Sequence, residues 1–282
     1  MPTFDTPQPI SAIVEPVVGS VHVIASDRVD TVVDVRPSDE SNASDVKAAE
    51  QTRVEFSGST LSVRAPKMRP LEFSNKKTRS IEVTIELPMG SSVQGSTGAG
   101  DLRGSGRLGT CRYKLGAGHF HLDHTGDLDL RTGAGNIVVE RVTGKAEITT
   151  GSGRVRVAEV DGAVEIKNSN GETTIDRVSG PVRVRAANGD ITVAQAGDAV
   201  EAKTANGAVR VLEVTRGAIG LETGMGDIEI GIRRGTAAWL DVKTAFGRVN
   251  NTMDAVDAPE NAENTAEVRA HTSFGDVTVR RA

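Results

Sequence analysis

The sequence predicts an all-β fold, a β-solenoid (single-stranded β-helix) of two-strand coils about 18 residues long, with an irregular N-terminal capping region. Three observations predict it. Short polar segments closed by a glycine recur at near-constant spacing from residue 97 onward. Apolar residues fall at fixed offsets from each of those glycines. The apolar content is mostly Val, Ile and Ala, with aromatic residues at 3% and 31 glycines in 282 residues. β-Branched residues suit the pleated, half-buried surface of a strand.

The recurring segments are TGAGD (97–101), LGAGH (115–119), TGAGN (132–136), TGSGR (150–154) and NSNGE (168–172). They continue as AANGD (186–190), TANGA (204–208), TGMGD (223–227), TAFGR (244–248) and TSFGD (272–276). Their anchor glycines run from Gly100 through Gly118, Gly135, Gly153, Gly171, Gly189 and Gly207 to Gly226, Gly247 and Gly275. The interval is 17 to 19 residues up to Gly226, then 21 and 28. A fixed period of this length is the mark of a repeat architecture.

After Gly135 the apolar positions are Ile137, Val139, Val142, Ala146 and Ile148; after Gly153 they are Val155, Val157, Val160, Val164 and Ile166. Two such alternating pairs in each repeat mean two short strands, each with one buried face. One repeat cannot bury that face alone, but stacked repeats can. Ten coils at ~4.8 Å each predict a rod of roughly 45–50 Å. A left-handed hexapeptide helix would need an aliphatic residue where this chain has Asp101, Glu172, Asp190, Asp227 and Asp276, so that fold is excluded.

Residues 1–96 read as irregular first coils and a cap, and 97–282 as the regular coils of one continuous domain. Val21 and Val23 follow Gly19 as a coil would, with Val33 and Val35 as its expected second strand. Residues 44–51 predict a short helix. Val54/Phe56 and Leu61/Val63 flank Ser57–Gly58 as a hairpin. Ile81, Val83, Ile85 and Leu87 alternate before Pro88. Near the other end, 252–265 predicts an acidic surface loop. The last coil, 272–279, is expected to form the terminal edge, with Arg280 and Arg281 discouraging further stacking.

Composition narrows the function. The net charge is −5 with signs interspersed, so no basic patch points to nucleic acid. The single Cys111 gives neither a disulfide framework nor a cysteine metal pair. No run of about 18 apolar residues predicts a membrane span, and the N-terminus lacks a basic region followed by an apolar core. A cytoplasmic protein without direct membrane insertion is expected.

Candidate chemistry is sparse. Arg156, Glu165, Lys167, Arg183, Arg185, Glu201 and Lys203 occupy outward strand positions and read as a solvated mixed-charge face. Glu172 and Asp190 are the only neighbouring carboxylates of the acidic column; a glycosidase needs two in unlike environments, and turn-capping is the expected role. The calcium-binding β-roll needs a double glycine and tandem nonapeptides, which are missing. His119, His121 and Asp123 share one strand face and are the weak metal candidates, with Phe120 and Leu122 inward. Cys111 reads as a small buried hydrophobe. Trp239 lies in an enlarged repeat, packed against a bulge or, more speculatively, exposed for binding. No catalytic constellation and no cofactor site are expected.

The TGAGD, TANGA and TSFGD repeats, preceded by IEVTIELPMGSSV (81–93), resemble a large bacterial family of β-strand-repeat domains of unknown function labelled "putative adhesin". The resemblance spans roughly residues 9–280 and the style is actinobacterial. It implies a single-stranded β-helix, relatives attached to membrane segments, an association with envelope stress, and no established catalytic residues. The function expected is a non-enzymatic scaffold or protein-interaction module with an unidentified protein partner. The alternatives are an adhesin or glycan binder, then a carbohydrate-active enzyme or a bactofilin-like polymer.

Overall fold

The computed structural model describes residues 1–66, 79–253 and 264–282. It is nearly all β, built from parallel strands stacked coil upon coil into two facing sheets, as a β-solenoid requires. The chain forms two compact units, Met1–Arg141 and Val142–Ala282.

The second unit shows the repeat most plainly. One sheet holds β14 (Ala146–Ser152), β16 (Val164–Asn170), β18 (Val182–Asn188), β20 (Val200–Asn206) and β22 (Gly217–Met225). The other holds β15 (Val155–Val160), β17 (Thr173–Val178), β19 (Ile191–Ala196), β21 (Val209–Val214) and β23 (Ile228–Ile232). Each strand pairs in parallel with its equivalent one coil on: Ile166 with Val184 and Val184 with Ala202 in the first sheet, Val157 with Ile175 and Ile175 with Val193 in the second. All of these side chains are buried. The expected inward offsets are therefore the core columns.

The motif T-x-x-G-D has a physical reading in this stack. Each anchor glycine has a φ that L side chains rarely adopt, +131° at Gly189, and a Cβ there would lie 2.2 Å from the carbonyl oxygen of Gly171. The threonine three residues earlier caps the carbonyl of the neighbouring coil's anchor: Thr223 Oγ1 donates to Gly207 O at 2.8 Å and Thr272 Oγ1 to Gly226 O at 2.9 Å. The residue after the glycine accepts a backbone N–H from the adjacent coil, as Asp190 Oδ1 does from Ala208 N at 2.9 Å. Asp101, Asp227 and Asp276 accept a backbone N–H from the adjacent coil in the same way, whereas Glu172 pairs with Arg154 instead.

The C-terminal end departs from the expected order. The chain leaves β23, makes β24 (Thr236–Phe246) and β25 (Val249–Asn251), then returns as β26 (Asn264–Phe274) and β27 (Val277–Arg281). β26 inserts between β22 and β24, and β27 between β23 and β25. The last coil in sequence is thus internal, and the outer edge is formed by β24 and β25. Arg280 and Arg281 do not guard an edge. Arg280 Nε pairs with Glu229 at 2.9 Å, and Arg281 Nη1 donates to Thr236 O at 2.9 Å, tying the inserted coil to its neighbours. Of the expected 252–265 loop, residues 264–265 belong to β26, while 254–263 lie outside the described residues.

The first unit tucks in its start in the same way. Its sheets contain β8 (Ser92–Ala99), β10 (Cys111–Ala117) and β12 (Leu128–Ala134) opposite β9 (Leu102–Arg107) and β11 (Phe120–Thr125). Next to β8 lies β2 (Ser11–Glu15), followed by β6 (Thr60–Arg64); next to β9 lies β3 (Val21–Ser26), followed by β7 (Ile81–Pro88). Val21 and Val23 do belong to a coil, but its other strand is β2. Val33 and Val35 lie on β4 (Asp30–Pro37), antiparallel to β7 in the same sheet. The predicted hairpin is β5 (Arg53–Ser57) against β6.

The predicted helix is α1 (Ala43–Gln51), which lies against β4 and β7. Asn42 caps it by accepting the Ser44 N–H, and buried Asp45 accepts the Ser80 N–H at 2.9 Å. The edge strand β1 (Thr3–Asp5) pairs with β4, and Phe4 stacks on Phe56 of β5 with centroids 5.2 Å apart. This outer end is closed by antiparallel strands, the helix and an aromatic pair. Cys111 is fully buried, as expected, and burial pushes its thiol up to about 12.

Candidate functional site

The outward residues of β14, β16, β18, β20 and β22 form a charged column: Glu147, Glu165, Arg183, Glu201, then Gly220. Arg269 of β26 and Asp241 of β24 continue it. Strand alternation sends these side chains to solvent because their neighbours Val164, Val182, Val200 and Ile219 are needed in the core. Adjacent charges pair across coils, Arg183 to Glu201 at 2.9 Å, and within strands, Lys167 to Glu165 at 2.8 Å. The mixed-charge face expected for this surface is present, and its exposed pairs each contribute little stability.

Gly220 interrupts the column. A Cβ there would meet nothing within 4 Å, and its φ is not in the left-handed region, so neither backbone nor packing demands glycine. Its lack of a side chain leaves a gap between Glu201 and Arg269. A groove of about 590 Å³ runs over this face from Lys145 to Arg269, with Ala163, Pro181 and Ala199 along one border. A second depression of about 400 Å³, bordered by Lys203, Glu222 and His271, also opens at Gly220 and Arg269. The column from Glu147 to Arg269 spans five coil steps, roughly 24 Å, enough for about seven residues of extended peptide. Both signs of charge line it, together with apolar shoulders. Such a surface can hold an extended polypeptide through polar contacts to alternate side chains.

Sequence reasoning found the charged column but missed Gly220. The signal was available: with the repeats aligned on their anchors, every other coil from 147 to 241 has a charged residue in that place. The insertion of β26, which supplies Glu267 and Arg269 to the groove, had no comparable local signal.

The other candidates fall elsewhere. His119 and His121 are exposed on β11 and its preceding turn, and Phe120 and Leu122 are buried, as the alternation predicts. His119 Nδ1 accepts the Asn136 N–H at 3.0 Å, and Asp123 Oδ2 accepts the Gly106 N–H at 3.1 Å. Two of the three candidate ligands are thus engaged by backbone. Among the described residues no three His, Cys, Asp or Glu side chains are grouped for a metal ion. Glu172 pairs with Arg154 at 3.3 Å and Asp190 with Arg210 at 2.8 Å. Burial pushes the Asp190 carboxyl up, but the Ala208 N–H and Arg210 more than offset it, holding it below the ordinary range.

Trp239 is not packed into a bulge. It lies on the outward face of β24 and is 56% exposed. At the corner after β22, β26 and β24, Met225, Phe274 and Phe246 form an exposed column, with the two rings stacked at 4.9 Å.

Solved structures of similar fold include a Bacteroides fragilis protein titled "putative adhesin", 14% identical with a TM-score of 0.37, covering 100% of this chain and 95% of that one. A "putative adhesin" from Parabacteroides merdae is 15% identical with a TM-score of 0.48, covering 80% and 93% respectively. A "putative lipid binding protein" from Parabacteroides distasonis is 10% identical with a TM-score of 0.31, covering 100% and 95%. The comparison with curated proteins returned no match. The family model described as Toastrack DUF4097 matches residues 21–280, nearly the whole repeat array and most of its N-terminal cap. The stacked, glycine-anchored coils described above are those of a Toastrack DUF4097 family member, and the chain belongs to that family.

Proposed function

We propose that this chain is a non-enzymatic cytoplasmic scaffold that holds an extended segment of a protein partner in the groove of its second unit. The observation that carries this reading is Gly220: a glycine that the fold does not require, placed where it joins two depressions on a charged face. The candidate carboxylates support it too, since Glu172 and Asp190 are each tied to an arginine. Envelope stress, which the family resemblance implied, is the setting in which to seek the partner.

The test uses Gly220→Arg. The new side chain has open space, so stability is expected to stay within about 0.5 kcal/mol of the parent. Affinity capture from native lysate is expected to recover a partner with the parent chain and to lose it with this variant. Equal recovery by both, or no partner with either, would contradict the proposal.

An adhesin or glycan-binding role is the second reading, favoured by the exposed Phe246–Phe274 pair and Trp239, since flat aromatic faces with a polar handle suit sugar rings. Cell fractionation separates the two readings. The scaffold reading expects a cytosolic pool, and a wholly surface-bound pool would support the adhesin.

A further inference from the structure

The outer edge of the second unit is β24, an eleven-residue strand paired on one side only among the described residues. Phe246 O accepts from Gly275 N beyond the corner, as Asn170 O does from Gly153 N. The strand before the corner has the opposite alternation: Ala163 O, seven residues before Asn170, also accepts from the neighbouring coil. Its equivalent on β24 is Trp239, so the odd-numbered residues along 237–243 turn their backbone groups toward β26. In a parallel ladder the even-numbered residues, 238 to 242, then direct their N–H and C=O groups to the open side. The inward row is also incompletely covered. Ala238, Leu240 and Val242 are only half-buried, whereas their partners on β26, Ala266, Val268 and Ala270, are buried. Val249 on β25 is 43% exposed. Long unpaired edges with apolar rows attract another strand.

We infer that this edge is the interface of a two-fold dimer, in which β24 pairs antiparallel with β24 of a second copy, centred on Val242. The charges select that register. Asp241 and Lys243 share one face, 2.8 Å apart. Centring on Val242 sets Asp241 opposite Lys243 of the second copy, and Lys243 opposite its Asp241. Centring one residue earlier opposes two aspartates, and one residue later two lysines, both unfavourable across a strand pair. The same register sets Trp239 against the small Ala245 and places even residues opposite even residues, so the outward-directed backbone groups around Val242 meet. A two-fold contact uses the same patch on both copies and closes. Head-to-tail growth would need a matching open edge at the outer end of the first unit. The edges at that end are the three-residue β1 and the five-residue β5, neither a match for eleven-residue β24, and α1 lies against β4 and β7 beside them. A closed dimer is therefore favoured over a filament, and it does not depend on what the groove binds.

The test is sedimentation velocity on the full chain, read beside the emission of Trp239, the only tryptophan. The parent is expected to dimerise with a blue shift of that emission as concentration rises. Asp241→Lys makes the pair wholly positive and Lys243→Asp makes it wholly negative. Each alone is expected to weaken dimerisation roughly tenfold or more. Mixing the two variants is expected to restore it as a heterodimer, which also shows that both remain folded. A parent that stays monomeric at every concentration overturns the inference. So does a dimer that neither variant weakens, or a mixture that fails to associate.

Discussion

Gly189→Ala is expected to destabilise the second unit by about 3 kcal/mol, since about 1–3 kcal/mol is the strain of holding a side chain at such a φ. The remainder comes from the Cβ, which would sit 2.2 Å from Gly171 O and force adjacent coils apart. Stability in a stacked repeat is close to a sum of coil and interface contributions, so the damage is centred on the coils at 171 and 189. Gly220→Ala is the internal control. It meets nothing within 4 Å and is expected to be neutral or to stabilise by about 0.5–1 kcal/mol, because glycine is costly inside a strand. Denaturant unfolding of the three proteins separates these outcomes. Equal effects at both positions would mean that the anchor glycines owe their spacing to something other than the stack.

The second large effect is at Phe120. Its ring is buried in the first unit and meets Tyr113 edge-on, with centroids 6.3 Å apart and planes at 81°. Phe120→Ala removes both burial and the aromatic contact, at about 3–5 kcal/mol. His121→Ala, one residue on, changes an exposed side chain and is expected to fall within about 0.5 kcal/mol of the parent. Amide exchange over β9 to β12 is the readout: protection is expected to collapse in the first variant and persist in the second. The reverse order would mean that the strand faces the other way.

The contrast between these neighbours shows why so much of the fold was legible. Every coil restates the same inward offsets, so Val157, Ile175 and Val193 identify their column without any knowledge of the others' surroundings. The strand at His119–His124 is readable for the same reason, since the alternation of Phe120 and Leu122 with polar residues fixes its face. The coil order at the C-terminus was not legible. The segments TAFGR and TSFGD both end in an anchor that could stack on Gly226, and local pattern does not choose between them. The choice rests on distant contacts: Arg280 with Glu229, Arg281 with the carbonyl of Thr236, and Thr244 Oγ1 with Gly275 O at 2.9 Å. At the other end, β2 precedes β3 in the inserted coil, so Val33 and Val35 were free to add an antiparallel edge instead. Part of the groove was hidden by the same non-locality, since Glu267 and Arg269 reach it only through the inserted strand.

That insertion is where the account is most exposed, because both the groove and the open β24 edge depend on it. Cysteine pairs test it directly, and the buried Cys111 with its raised thiol will not compete. Gly220 and Arg269 are register partners on adjacent strands, within reach of a disulfide. Gly220 and Asp241 are two strands apart, about 10 Å, and beyond that reach. Under mild oxidation of the folded chain, the Gly220→Cys/Arg269→Cys pair is expected to form a disulfide and the Gly220→Cys/Asp241→Cys pair to stay reduced. A disulfide in the second pair and none in the first would put the coils back in sequence order and contradict the account.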